Sequence, residues 1–283
     1  MDYEGIFWIL HLPLMVVFLI GMTDVAGVWL RGRIGGGTDA PVGQKLLTLL
    51  GDALRTILSW RLPYLIKAFI TEAWFNRRLW RANRFRWASH FLLLSGFLLL
   101  MSLSGISAIA DKVLHKLFHL GNLPWVAMWY TPDHPVPALL NEIGATMMTV
   151  GLLFFIVRRY LIRPPQLRSG PTDHWMVIGL GLILLTGWIA EVVRLCIGIP
   201  EGSAPYLAFI GYPLSLLFRG LPLPWEALAK GLWTGHGLLT SVVIVTIPYS
   251  KFMHVIAGGL SATVDQFQQE TAHSAKGAAH VPA

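Results

Sequence analysis

The sequence predicts an all-α membrane protein with five transmembrane helices. Of its 283 residues, 54% are apolar and only 13% are charged, which is too few charges for the surface of a soluble protein of this size. Five apolar stretches also reach the roughly 20 residues that a helix needs to cross the hydrocarbon core of a bilayer. They lie at about 6–30, 87–110, 137–157, 175–198 and 229–256.

The basic residues set the expected orientation, because they concentrate in two of the four connections. The first and third connections hold Arg31, Arg33, Lys45, Arg55, Arg61, Lys67, Arg77, Arg78, Arg81, Arg84, Arg86, Arg158, Arg159, Arg163 and Arg168. The other two hold only Lys112, Lys116, Arg219 and Lys230. By the positive-inside rule, we expect the N-terminus outside and the C-terminus in the cytoplasm. The net charge of +7 then reflects membrane topology, and we expect no binding to nucleic acid.

The segments outside the five stretches carry three further expectations. The first stretch is followed directly by a basic loop, so we expect a retained helix and not a cleaved signal peptide. Residues 204–221 are apolar but contain Pro205, Gly211 and Pro213, and we expect them to lie on the outer face or to re-enter without crossing. Residues 1–260 are predicted to form one membrane domain, and the small, polar residues 261–283 a disordered tail.

The connection between the first and second helices has an amphipathic pattern. Apolar residues recur near helical spacing among Lys45, Asp52 and Arg55, namely Leu46, Leu47, Leu49, Leu50, Leu54, Ile57 and Leu58. We expect one or two amphipathic helices at the cytoplasmic face of the membrane. They either anchor the chain to lipid or dock a soluble subunit, and the apolar stripe alone does not decide between these.

Histidine is the residue on which any metal site must depend. The single cysteine, Cys196, excludes a disulfide within the chain and a four-cysteine cluster, and no Cys-x-x-Cys-His motif for c-type haem is present. Of the ten histidines, His90, His236 and His254 lie inside or at the edge of predicted spans. Ionisable groups at membrane depth are costly, and they usually mark function.

The spacing of these histidines suits b-type haem. His236 and His254 are eighteen residues apart, which is five helical turns or about 27 Å, so they share a face near opposite sides of the bilayer, with Pro248 kinking the helix between them. His90 is expected at the cytoplasmic end of the second helix, level with His254. We therefore predict an inner haem between His90 and His254. The alternative is that His90 and His254 lie at the membrane interface, reach toward water and hold no haem.

The partner of His236 at an outer haem is left open. His11 near the start of the first helix and His119 are the preferred candidates, and His115, His134 and Met101 are weaker ones. A five-coordinate outer haem, or none, also fits the sequence.

These residues carry a resemblance to a known family. The stretch LWTGHGLLTSVVIVTIPYSKFMH resembles the fifth helix of the nitrate reductase gamma-subunit superfamily, in the branch of the membrane cytochromes of heterodisulfide reductase and of the sulfite-reduction-linked complex. RFRWASHFLLLSGF resembles the second helix of that branch, and RRYLIRPPQLRSGPTDHW followed by LLTGWIAEVVRL resembles its third connection and fourth helix. The resemblance covers most of residues 6–260, and PYSKxxH is its most specific element.

The resemblance implies a membrane cytochrome b with one or two b-type haems, which exchanges electrons with menaquinone or ubiquinone. It further implies a cytoplasmic iron–sulfur subunit related to heterodisulfide reductase as a partner. A second membrane subunit and an outer c-type cytochrome are further candidates. His90, His236 and His254 match three haem-ligand positions of the family, whereas Leu100 stands near the fourth. The implied location is the inner, cytoplasmic membrane.

Glu191 and Arg194 are the candidate residues of a quinone site. They are three residues apart, so they share one face of the fourth helix in its outer half. A quinol loses two protons as its electrons leave, and a carboxylate in the membrane can accept a proton. A buried structural ion pair is an equally weighted interpretation.

The sequence leaves two other functions open. A proton or ion transporter would use Glu191, Arg194 and the histidines as a path, but such proteins often show internal repeats, and none is evident. The second of these functions is a membrane anchor for a soluble enzyme, with no cofactor. We favour the redox subunit, with the chemistry on the terminal substrate taking place on a different subunit.

Overall fold

The computed structural model describes residues 3–31, 40–131, 134–165, 170–198 and 204–278. Of the described residues, 86% are helical and none forms a strand. Arg33, Arg168 and residues 279–283, for which the sequence carried expectations, lie outside the described residues.

Five helical segments are long and apolar enough to cross a membrane, which confirms the five predicted spans. They are Tyr3–Leu30, Arg84–Leu117, Pro135–Ile162, Pro171–Ile197 and Trp225–Tyr249. Large apolar side chains such as Leu12 and Leu19 of the first span are more than half exposed, as is expected where lipid is the solvent. The chain is a multi-pass membrane protein.

Twelve α-helices are present in the described part of the chain. They are α1 (Tyr3–Leu30), α2 (Val42–Ile57), α3 (Leu62–Ala68), α4 (Arg77–Ala82), α5 (Arg84–Ala108), α6 (Pro124–Tyr130), α7 (Pro135–Ile156), α8 (Pro171–Ile197), α9 (Ala204–Leu207), α10 (Gly211–Phe218), α11 (Trp225–Val245) and α12 (Met253–Ala278). Segments of π-helix follow α3, α5 and α7, at Phe69–Trp74, Ile109–Leu117 and Val157–Ile162.

The chain divides into two compact units, and the first consists of Met1–Leu10 and Phe85–Thr240. Within it α5 and α7 approach closely through glycine. A methyl group at Gly96 would lie 2.5 Å from the backbone nitrogen of Met148, and one at Gly151 would collide with the backbone of Leu93. Small residues at such crossings allow membrane helices to pack backbone against backbone.

A buried ion pair joins the third and fourth spans of this unit. Arg159, in the π-helical segment after α7, lies 2.7 Å from Asp173, and both side chains are less than a tenth exposed. Asp173 also accepts a hydrogen bond from the backbone nitrogen of Gly170, the residue directly before α8. Buried charges need such paired and hydrogen-bonded surroundings.

The segment between the fourth and fifth spans does not cross the membrane by itself. α9 has four residues and α10 has eight, too few to span, and they pack on α7 and α8 respectively. This agrees with the expectation for residues 204–221.

The second unit consists of His11–Arg84 and Ser241–Ala283. Within it the end of the fifth span contacts α1, because Gly21 leaves room for the ring of Tyr249 and for Pro248. Tyr249 donates a hydrogen bond from its hydroxyl to the Val17 carbonyl, at 3.0 Å. The expected amphipathic segments are present as α2 and α3, and Leu47, Leu54 and other leucines of α2 are exposed.

The predicted tail forms a long helix, so the expectation of disorder from residue 261 was wrong. α12 runs from Met253 to Ala278 and packs against α3 and the π-helical segment Phe69–Trp74. A methyl group at Gly259 would lie 3.3 Å from Cβ of Ala73, and Lys67 forms an ion pair with Glu270 at 3.0 Å. The polar composition suits a helix that is buried on one side only.

The prediction that the fifth helix runs from 229 to 256 was also wrong about where this helix ends. α11 stops at Val245, Ile247–Tyr249 form one turn of 3-10 helix, and α12 begins at Met253. Pro248 has no N–H to donate, and its ring clashes with the carbonyl four residues earlier, so the helix breaks where a kink had been expected. His236 and His254 therefore lie on different helices, and the argument for a shared face does not hold.

Candidate functional site

The ring of His236 is held by residues of the neighbouring fourth span. It lies on α11, and its Nδ1 atom is 2.9 Å from the hydroxyl oxygen of Thr186 on α8. Next to Thr186, Gly187 makes space for the ring, because a methyl group there would be 3.2 Å from Cε1 of His236. Two residues of the fourth span thus fix the position of one imidazole.

The hydrogen bonds of Thr186 indicate which nitrogen of His236 carries the proton. The Thr186 hydroxyl lies 2.7 Å from the Leu182 carbonyl, which can only accept. The hydroxyl therefore donates to Leu182 and accepts from Nδ1–H of His236. This tautomer leaves a lone pair on Nε2, and metal-binding histidines are usually held in this way through their other nitrogen. The geometry fits the ligand role assigned to His236.

His11 belongs to the second unit and is paired with α11. Its Nδ1 atom lies 2.7 Å from the hydroxyl of Ser241, which is buried and follows His236 by five residues in the chain. The ring is half-buried, so His11 is held at a defined place in a span.

His90 and His254 occur in different settings. His90 is half-buried on α5 of the first unit, next to the buried Ser89. His254 is exposed, its Nδ1 contacts the Lys251 carbonyl, and it stands in the first turn of α12, beyond the fifth span. The fifth span was predicted to extend past His254 to residue 256, whereas the structure ends it at Tyr249. The pairing of these two histidines stays a prediction, as does the haem between them.

The other outer candidates lie at or near the surface of the first unit. His119 is exposed and has a φ of 56°, a left-handed conformation that few residues other than glycine adopt. His115 stacks on Tyr130 with ring centroids 4.3 Å apart. His134 accepts a hydrogen bond from the Val136 nitrogen at the start of α7.

Leu100, which stands near the fourth ligand position of the resemblance, has an apolar role. Its Cδ2 atom would be 3.1 Å from a methyl group at Gly144, so it fills the close crossing of α5 and α7. Across the residues that are described, no cluster of three or more His, Cys, Asp or Glu side chains could hold a bare metal ion.

Glu191 lies in a buried polar cluster of the first unit. It is 8% exposed, and the side chain of Asn141 on α7 forms a hydrogen bond with its carboxyl group. Arg194, one turn later on α8, is close enough for its charge to act on Glu191. The quinone site at Glu191 and Arg194, and the structural ion pair that was its alternative, both stay predictions.

Glu142 on α7 completes the cluster, and the sequence analysis missed it. It is fully buried, and its Oε1 atom accepts hydrogen bonds from the backbone nitrogens of Gly211, at 2.9 Å, and Ile210, at 3.3 Å. A methyl group at Gly211 would be 2.9 Å from Cδ of Glu191 and 3.2 Å from Oε1 of Glu142. The two carboxyl groups therefore border the same glycine. An acidic residue within the third span, in LLNEIGATMM, was the available signal.

Comparison with known proteins identifies relatives over most of the chain. One subunit of the dihydromethanophenazine:CoB--CoM heterodisulfide reductase of Methanosarcina mazei is 25% identical over 263 residues, which cover 87% of each chain. The protein of the same name from Methanosarcina acetivorans is 25% identical over 262 residues, covering 87% of this chain and 86% of the relative. No family model matches the chain, and no solved structure matches it significantly.

A different enzyme shares the same region. An EtfAB:quinone oxidoreductase of Syntrophomonas wolfei is 24% identical over 281 residues, covering 92% of this chain but only 33% of that protein. The wider resemblance to the nitrate reductase gamma-subunit superfamily stays a prediction. The relatives are oxidoreductases or their subunits, and they support the identification of this chain as a membrane subunit of an oxidoreductase complex.

Proposed function

We propose that this chain is the haem-binding membrane subunit of a respiratory complex, and that it passes electrons between the quinone pool and a cytoplasmic iron–sulfur subunit. The observation that carries the proposal is the fixed ring of His236, whose Nδ1–H is held by Thr186 while Nε2 keeps its lone pair. Such a ring, half-buried in an apolar span, has the chemistry of a haem ligand.

The proposed ligands follow from the histidines of the spans. His236, with His11 or His119, would hold an outer b-type haem, and His90 and His254 an inner one. A bound haem supplies one-electron chemistry to the complex. This chain's part is to place imidazole nitrogens, to surround them with apolar side chains and to keep bulk water away from them.

The quinone site is proposed beside Glu191 and Arg194. Glu191 is buried and hydrogen-bonded to Asn141, a setting in which a carboxylate can take a proton from a quinol hydroxyl. Arg194 would bind a quinone oxygen or stabilise the negative charge of the Glu191 carboxylate. Menaquinone and ubiquinone both satisfy this chemistry.

The location and the partner are also part of the proposal. A respiratory role places the chain in the inner, cytoplasmic membrane, with the α2–α4 connection inside. The exposed leucines of α2 and the basic residues that follow it suit a membrane surface beside a docked soluble subunit. The similarity to a component of heterodisulfide reductase supports an iron–sulfur protein of that type as the partner.

Quinol-driven reduction of haem tests the proposal. In the purified protein, a short-chain quinol should reduce the haem, and Glu191→Gln should slow this reduction at unchanged haem content. Glu226→Gln is the matched control, because Glu226 is exposed in the first turn of α11. Equal rates in both variants would return Glu191 to a structural role, and no reduction in any of them would remove the quinone from the proposal.

A further inference from the structure

Glu142 is a fully buried carboxyl group with one oxygen that lacks a partner. Its Oε1 atom accepts from the backbone nitrogens of Ile210 and Gly211, at the start of α10. Its Oε2 atom is also buried, and nothing in the described part of the chain forms a hydrogen bond with it. Natural proteins rarely leave a buried polar atom in this state, and such an atom calls for an explanation.

The neighbour of this group is a second carboxyl group. Glu191 and Glu142 approach the same face of Gly211, since a single methyl group there would contact both of them. Two negative charges this close in an apolar interior repel strongly. A proton bound by the pair removes one charge and provides a donor for an oxygen that would otherwise have none.

The charges around the pair differ between its two members. Arg194 acts on Glu191 together with the hydrogen bond from Asn141. No lysine or arginine of the described residues forms an ion pair with Glu142, which has only the backbone N–H groups at the start of α10. Partners that stabilise a negative charge are therefore present at both members, so the proton is assigned to the pair and not to one carboxyl group.

We propose that Glu142 and Glu191 bind one proton as a pair and act together in proton transfer, with the first turn of α10 keeping Glu142 in position. The role of the pair toward quinol rests on the proposed function. The pair first releases the proton that it holds to water. As quinol is oxidised, one O–H bond of the quinol then breaks and one O–H bond forms on the pair, and one electron would pass to haem. The second proton and the second electron of the quinol follow in a second round of the same steps.

Infrared spectroscopy of the full chain in lipid nanodiscs tests the pair without any cofactor. Spectra recorded against pH, in H2O and in D2O, should show a carboxylic acid C=O band that shifts on deuteration. Glu142→Gln and Glu191→Gln should each remove or move this same band, and the double variant, which has no carboxyl group at this site, should lack it. The exposed Glu226→Gln should leave the band unaltered. Two bands, each lost in only one variant, or no change in either variant, would overturn the proposal.

Two aspartate variants cover the case in which a glutamine variant does not fold. Glu142→Asp and Glu191→Asp keep both carboxyl groups but alter their separation, so each should displace the one shared band. A band that stays in place in both variants contradicts the pair. A chain without haem would sink the proposed function, yet the infrared result would stand. A chain that binds haem but shows independent carboxyl bands would contradict the pair and leave the proposed function standing.

Discussion

Thr186 on α8 accepts a hydrogen bond from Nδ1–H of His236 on α11, with the two atoms 2.9 Å apart. This contact joins the fourth and fifth spans at a polar point inside the membrane. It also sets the tautomer of the ring, because the Thr186 hydroxyl donates to the Leu182 carbonyl. The predicted ligand role of His236 therefore depends on a threonine to which the sequence analysis gave no role.

Thr186→Val should weaken haem binding at His236 without unfolding the protein. The valine keeps the shape of threonine but cannot accept from Nδ1–H, so the ring loses one of the contacts that orient it and keeps its hydrogen bond with the Ile183 backbone. Loss of such a supporting hydrogen bond typically lowers metal affinity about 10–100-fold. Haem content per chain, measured after dilution in detergent, should fall toward that of His236→Ala.

Thr234→Val is the matched control, because the Thr234 hydroxyl is exposed and bonds only within α11, to the Lys230 carbonyl. Its haem content should equal that of the native protein. If Thr186→Val also keeps full haem content and an unchanged midpoint potential, the contact has no part in ligation.

Alanine substitution of His90 and of His254 tests the inner haem. Under the proposed ligation each substitution should abolish the same component of the haem spectrum, since an iron atom that loses one of two imidazoles changes its ligation state. His174→Ala is a suitable control, because His174 bonds with the Tyr160 hydroxyl at 2.8 Å. An intact spectrum in either variant would show that the two histidines do not share a haem.

Gly211→Ala should destabilise the first unit. The added methyl group would meet Glu191 and Glu142 at 2.9 and 3.2 Å, and both side chains are buried. Overpacking of this kind costs about 1–3 kcal/mol. Thermal unfolding in detergent should therefore occur at a lower temperature. Gly231→Ala, where a methyl group meets nothing within 4 Å, should not lower it.

The docking of α12 should depend on pH through Glu270. The Gln266 amide, which donates to Glu270 at 2.8 Å, and then Lys67 lower the pKa of this carboxyl below its ordinary value. A pKa that folding lowers contributes stability above the unfolded pKa of about 4.3, and this stability disappears as the pH falls through the folded pKa. Hydrogen exchange of α12 should therefore accelerate on acidification in this range.

Glu270→Gln should remove most of that dependence. Because Lys67 is largely exposed, the ion pair is weak, and we expect exchange in α12 to be about two- to five-fold faster than in the native protein at neutral pH. If the amide hydrogens of α12 in Glu270→Gln exchange at the native rate at both neutral and acidic pH, the remaining contacts of α12 are sufficient to dock it.

The five spans could be predicted from the sequence, whereas the course of the chain after the fifth span could not. Long apolar runs have few alternatives in a bilayer, since every backbone group must be satisfied within a helix. At Pro248 the sequence allows either a kink or a break, and the contacts of Tyr249 and Pro248 with α1 accompany the break. The tail was misjudged because its partner surface, α3 and the π-helical segment after it, is distant in sequence.

The candidate site was predicted only in part, for a similar reason. Glu191 and Arg194 are three residues apart on one helix, and their proximity follows from helical geometry. Glu142 and Gly211 reach Glu191 from other elements, which periodicity does not reveal. Thr186 was equally hidden, because a threonine in an apolar helix usually bonds to its own backbone.

The reduced-minus-oxidised absorption spectrum of the purified chain tests the central claim most directly. We predict the alpha band of b-type haem, with one or two haems per chain, and a smaller band in His236→Ala. A colourless, iron-free protein after reconstitution with haem would contradict the proposed ligation by His236 and, with it, the role in electron transfer.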